Sequence, residues 1–142
     1  MNLARTLYII FTYPNRLRHR QGFGVQSPWA YELVRDVFFE KLYYYAYDDL
    51  GLNNEVDRQL WRIKHKFGPN VEIIDENASS EYERIASKAD AETIVVVEHI
   101  DDANADLWRR ILKDDRNTVT FDLTNRGLVT FDKKRIKQNY TL

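Results

Sequence analysis

The chain has 142 residues, no cysteine, three histidines and a formal net charge of −1, with 44% hydrophobic and 30% charged residues. That length suits one domain that buries roughly 68–70% of its unfolded surface. The lack of cysteine excludes disulfides and thiolate-held metals and fits a reducing cytoplasm, where the chain is expected to reside. No apolar run approaches the roughly 20 residues of a membrane-crossing helix, so no membrane partner is expected.

The start, MNLARTLYIIFTYPNR, is short, broken by Pro14, and reads as part of the fold and not as a signal peptide. Charge changes sign along the chain: residues 1–35 hold five Lys/Arg and one acid, residues 72–106 eleven acids and two bases, residues 107–142 nine bases and four acids. This points to attraction between segments more than to a nucleic-acid footprint, which makes a whole domain basic.

Met1–Arg20 predicts one or two helical turns around Pro14, ending in the basic cluster Arg16, Arg18, His19 and Arg20. Gln21–Gln26, with Gly22 and Gly24, reads as a loop; its lone Gly-x-Gly follows no strand and is a poor phosphate loop. Ser27-Pro28 is a helix start, a cap oxygen followed by proline at the first helical position. An apolar stripe follows at Ala30, Leu33, Val34, Val37 and Phe38, with Leu42 and Tyr45 in register.

Tyr43, Tyr44, Tyr45 and Tyr47 form an aromatic run that suits packing, against the sheet or a second subunit, better than base stacking, since Lys41 is its one interleaved base. Asn53–Phe67 predicts a helix stopped by Gly68-Pro69. Val71–Ile74 predicts a short strand running into Asp75-Glu76-Asn77. Ser80 and Glu83 have capping-box spacing ahead of a helix that buries Tyr82, Ile85, Ala86 and Ala89.

Thr93–Ile100, TIVVVEHI, is the centre of the pattern. Four consecutive β-branched residues suit a strand covered on both faces. Asp101 or Asp102 is the expected cap of a further helix with Leu107, Trp108, Ile111 and Leu112 inward. Asn117–Leu123 and Leu128–Phe131 read as strands joined by a turn at Thr124-Asn125-Arg126-Gly127. Lys133–Leu142 reads as a basic tail. The implied fold is α/β: a single domain with a helical part over residues 1–67 and, over 68–142, a small, mostly parallel Rossmann-like sheet ending in an antiparallel hairpin.

Three stretches carry a resemblance: QGFGVQSPWAYELVRDVFFEKLYYYAYDDL, Arg58–Asp90, and Thr93–Leu142 with Asp122, Gly127 and the Lys137–Tyr140 tail. In that order they resemble bacterial class I S-adenosylmethionine-dependent methyltransferases with a helical N-terminal extension. The resemblance implies a cofactor site at the carboxyl ends of the strands, with Glu72, Asp75, Asn77, Glu98 and His99 as its candidates here. The departures carry more weight. The family's glycine-rich cofactor loop corresponds to Asp75-Glu76-Asn77-Ala78-Ser79, and no glycine occurs from Pro69 to Arg126. Glycine is needed where a backbone closely approaches a cofactor. The chain is also short of strands, and two registers stay open: Val71–Asn77 as the family's first strand, or as its fourth with the first three absent.

The resulting expectation is a non-catalytic methyltransferase-like domain, without cofactor or metal, that works through protein contacts as a homo-oligomer or with a full-length relative. Trp29, Phe39, Tyr43, Tyr44 and Tyr47 are the expected interaction surface. A divergent methyltransferase is the first alternative. The second is a nucleic-acid or phosphate-binding module using Arg16, Arg18, Arg20 and Lys133–Lys137. Glu98, His99 and the following Asp101-Asp102 have metal-ligand chemistry, but neighbouring strand residues point to opposite faces and do not converge.

Overall fold

The computed structural model describes residues 3–20 and 24–142. The first half of the Gln21–Gln26 loop, with Gly22 and Phe23 of its Gly-x-Gly motif, lies outside the described residues, while Gly24 is described, with φ 77°. The chain forms two compact units, one made of the residues up to Arg16 together with Asn70–Leu142, the other of Leu17–Pro69. Helix α1 (Leu3–Arg20) is one element of 18 residues that passes through Pro14, where the sequence predicts only broken turns. Proline removes one helical hydrogen bond. Just before the proline the Thr12 hydroxyl donates to the Tyr8 carbonyl at 2.8 Å, and side chains on either side of Pro14 are anchored to Asp122.

In the first unit, β1 (Val71–Ile74), α5 (Ala78–Ala86), β2 (Ile94–Glu98), α6 (Ala105–Leu112), β3 (Val119–Asp122), β4 (Arg126–Thr130) and β5 (Gln138–Thr141) follow one another. Among the described residues they build a five-stranded sheet in the order β1-β2-β4-β3-β5. The β1/β2 and β3/β5 pairings are parallel, while β4 runs antiparallel to both β2 and β3. The fold is therefore α/β, but the sheet is mixed. The second strand of the expected hairpin inserts beside β2, and the expected basic tail supplies a fifth strand. That strand is polar and has no apolar alternation to announce it. Cross-strand partners hold it: Thr120 Oγ1 donates to Asn139 Oδ1 at 2.7 Å, and Phe121 stacks on Tyr140 with ring centroids 5.3 Å apart.

Ile94–Val97 are buried on both faces, as their continuous apolar run requires. One face packs Ile74, Val95, Val97 and Val129 against Tyr82 and Ile85 of α5 and Leu107, Trp108 and Ile111 of α6. Gly127, expected in the turn, lies inside β4 beneath Trp108. A Cβ there would sit 2.3 Å from the indole ring, so glycine is required by close approach and not by a turn. The turn itself is Thr124-Asn125, with Thr124 at φ 81°, an uncommon value for a β-branched residue.

Two expected caps also shift. Helix α5 starts at Ala78 behind Asn77, which takes the left-handed φ of 51°; Ser80 donates to the Asn77 carbonyl, and Glu83 pairs with Arg116 at 2.7 Å. Helix α6 is preceded by Asn104, not by a capping Asp101 or Asp102. The main chain from His99 to Asn104 closes its own turns, with Asp102 and Asn104 both donating to the His99 carbonyl.

In the second unit, Ser27 caps α2 (Pro28–Leu33), its Oγ accepting from the Ala30 N–H at 3.4 Å. The expected long helix stops early. It widens into a π-helical turn over Val34–Phe38 and ends at Phe39, leaving Leu42 and Tyr45 66% and 90% exposed. Helices α3 (Tyr45–Asp49) and α4 (Glu55–Phe67) follow, α4 capped by Asn54 and ended at Gly68 with φ 66°. Arg62 of α4, buried to 4% exposure, explains the stop. It donates to the carbonyls of Val37 and Phe38 at 2.6 and 2.9 Å, satisfying the end of the π turn, and pairs with Glu55.

Replacing Gly127 by alanine should cost about 3 kcal/mol in urea denaturation by overpacking against Trp108, and a smaller residue at position 108 should recover part of that loss.

Candidate functional site

The carboxyl ends of β1 and β2, where α/β sheets bind ligands, are occupied by the protein's own side chains. The Asn104 Nδ2 group donates to the carbonyls of both Asp75 and Glu98, at 3.1 and 2.7 Å, and ties the two strand ends together. Glu98 is not free to meet a ligand. It forms a bidentate pair with Arg126, directly opposite on β4, at 2.8 and 3.1 Å, and Arg126 is only 2% exposed. A buried guanidinium needs such a counter-ion.

His99 has left the strand at φ 55°, and its Nε2 lies 3.4 Å from Asp75 Oδ1, both side chains more than half exposed. Glu72 is exposed on β1, Asn77 is exposed in the turn, and Ala78 is buried beneath it. The fold thus brings Asp75 and His99 together and sends Glu98 elsewhere. Among the described residues no group of three or more His, Asp or Glu side chains is placed to hold a metal.

A different cluster organises this unit. Asp122, at the end of β3, receives Arg5 Nη2 on both oxygens, at 3.0 and 2.8 Å, and Arg16 Nη1 on Oδ1 at 3.1 Å. Arg16 is fully buried. It also donates to the Leu142 carbonyl at 2.7 Å and to Thr124 Oγ1 at 3.2 Å, and its Nε reaches Thr12. The Asp122 carboxylate accepts the Thr124 N–H at 2.9 Å, which holds the turn in its unusual conformation. Arg5 and Arg16 are eleven residues apart, three helical turns, and so share a face. That spacing is the signal in the sequence that could have found them.

Beside this cluster lies a cavity of about 390 Å³ whose lining joins apolar side chains such as Tyr8, Trp108 and Leu112 to the polar Arg5, Arg109, Asp122 and Asn139. Its size and lining suit a small, largely apolar molecule.

A second polar network joins α5 and α6 to the sheet. The buried Tyr82 hydroxyl donates to Asp114 Oδ2 at 2.8 Å and accepts from Asn117 at 3.1 Å. Burial pushes the Tyr82 phenol well above its ordinary value. Burial also opposes ionisation of Asp114, but the Arg116 side chain and N–H and the Tyr82 hydroxyl outweigh it and hold the carboxyl at about 2.

In the other unit, Tyr47 is 2% exposed and sits at the centre of the aromatic cluster instead of on a surface. Tyr43, Tyr44 and Trp61 surround it at centroid distances of 5.3–5.6 Å. Tyr43 is exposed, while Trp29, Phe39 and Tyr44 are half-buried. Arg58 lies over both Tyr43 and Tyr47, and Arg20 over Phe39, so the interleaved cations missing from the local sequence arrive from other elements. Of the bases considered for phosphate binding, Arg16 is consumed by Asp122. Lys133 and Lys137 donate to the main-chain carbonyls of Asp115 and Asp114.

Replacing Asp122 by asparagine leaves a buried guanidinium without its charge partner and should destabilise the chain by about 3–5 kcal/mol in chemical denaturation. For Asp114, the depressed carboxyl contributes stability that is complete above the unfolded value near 4 and lost as pH falls through about 2. Denaturation midpoints measured from pH 5 to pH 2 should show a loss of about 1–2 kcal/mol from this group, reduced by its partial exposure, and Asp114→Asn should flatten that part of the profile.

Comparison with protein-family models, curated proteins and solved structures gave no significant match to this chain.

Proposed function

We propose that this chain is a non-catalytic, methyltransferase-like domain that acts through protein–protein contacts, with itself or with a full-length relative. The observation that carries the reading is the Asn104 bridge: its amide spans the two strand ends at which a nucleoside cofactor would have to enter. The adjoining turn adds to this, since Asp75 to Ser79 carry a side chain at every step and Ala78 is packed inward. Close backbone approach to a nucleotide depends on glycine at such a turn.

The direct parallel pairing of β1 with β2 through a single helix also favours the register in which Val71–Asn77 is the family's fourth strand. In that register β1 is an edge left by missing strands. Ile73 on it is 40% exposed, and such an edge favours coverage by another chain.

Calorimetric titration of the protein with S-adenosylmethionine, and with its homocysteine product, should show no saturable heat. Saturable binding of either compound overturns the reading in favour of a divergent enzyme.

A further inference from the structure

Helix α1 is built inside out. Its inward face carries Arg5 and Arg16, both paired with Asp122, and Thr12, whose hydroxyl accepts from Arg16 Nε. The opposite face carries Leu3, Leu7, Ile10, Pro14 and Leu17, all exposed, with Phe11 beside them. The steps of four, three, four and three residues are the heptad spacing of a seam that packs against another helix. Leu3, Leu7, Ile10, Phe11 and Leu17 are between 41% and 81% exposed. An amphipathic helix normally turns its apolar stripe to the core, and a contiguous apolar strip on a surface marks a contact.

We infer that this seam is the contact between two copies of the chain, with the α1 helices packed antiparallel across a two-fold axis near Ile10. This rests on the reading that the domain works through protein contacts, and it names the surface. Two observations select a second copy. At roughly 150–200 Å² for each large side chain, the exposed parts of the seam amount to about 500 Å² per copy, so a symmetric pair that covers the seam fully buries about 1,000 Å², the smallest area expected of a specific interface. Thr6 and Arg18 flank the row from Leu3 to Leu17, and the exposed Phe11 and Tyr13 extend the apolar face beyond them. A helix lying in a lipid surface carries cations on its polar side to meet the headgroups; here those cations, Arg5 and Arg16, are turned inward to Asp122.

Charge then sets the direction. The last turn carries Arg18, His19 and Arg20, and the first turn has no acid. Parallel packing would stack these cations on one another, while antiparallel packing separates them and opposes the helix dipoles. Anchoring through Arg5 and Arg16 orders the helix before it meets its partner, which lowers the cost of association.

The test is sedimentation equilibrium of the full chain between about 1 and 100 µM, for the wild type and for the double variant Leu7→Glu with Ile10→Glu. Both positions are exposed, so circular dichroism should be unchanged. The wild type should dimerise and the variant should bind itself at least about tenfold more weakly. A wild-type monomer throughout the range overturns the proposal, as does a dimer that the variant leaves intact, which would place the contact elsewhere.

Because the chain has no cysteine, single introduced cysteines report geometry. Ile10→Cys should crosslink to itself on oxidation, and Leu3→Cys should crosslink to Leu17→Cys but not to itself. Self-crosslinking at position 3 overturns the antiparallel arrangement. Flotation of a monomeric wild type with vesicles of phosphatidylcholine and phosphatidylserine, lost in the double variant, would assign the seam to lipid and overturn the proposal. S-adenosylmethionine binding by a chain that still dimerises through this seam would sink the non-catalytic reading and leave the contact standing; a monomer that ignores the cofactor would do the reverse.

Discussion

One carboxylate holds the first unit in its observed form. Asp122 receives two guanidinium groups from α1, and its main chain pairs with Leu142 beyond β5 through the Leu142 N–H at 2.8 Å. Without that charge at the end of β3, α1 has no reason to turn its polar face inward, because Arg5 and Arg16 would be solvated more cheaply than buried. Orientation of the helix, shape of the turn at Thr124 and placement of the fifth strand all follow from the same few hydrogen bonds. The apolar seam on the outside of α1 is the other side of that arrangement: a helix whose Arg5 and Arg16 are paired within has its leucines left over.

The same economy appears at the strand ends. Open α/β sheets leave a crevice beyond their carboxyl ends, and here Asn104 and the Glu98–Arg126 pair use up the carbonyls, carboxylate and space that a crevice would offer. What remains there is the exposed pair of Asp75 and His99. The β1/β2 pair is parallel, and its strand ends serve internal cohesion. A domain so arranged has surfaces to offer, and the proposed role in protein contacts follows from that balance.

How much of this could be read from residues alone depends on the range of the signal. The central strand was legible because Ile94–Val97 is a continuous β-branched run, and the inner faces of α5 and α6 because Tyr82, Ile85, Leu107, Trp108 and Ile111 recur at helical spacing. The Ser27 cap was legible for the same local reason. What failed was decided at a distance. The helix after Pro28 ends where Arg62, more than twenty residues later, meets its last carbonyls. Gly127 reads as a turn residue until Trp108 is placed above it, and β5 has no apolar alternation because its partners are a threonine and a ring on β3. At the candidate site, Asp75 and His99 were legible by position, whereas the assignment of Glu98 to Arg126 depends on the register of β4 against β2. The Asp122 cluster escaped notice because Arg5 and Arg16 sit in a stretch whose aliphatic and aromatic residues dominate its pattern.

The ion pairs of Asp122 span 117 residues to Arg5 and 106 to Arg16. Arg16 therefore emerges from the ribosome long before its counter-ion exists, at synthesis rates of roughly 5–20 residues per second. Through that interval the α1 segment has neither its anchor nor a reason to choose which side to hide, and its leucines are open to any apolar surface nearby. During synthesis the ion pairs of this helix wait for the arrival of β3, and closure over so long a separation is slow. A chain of this design should lean on holdase chaperones during translation more than its modest size suggests.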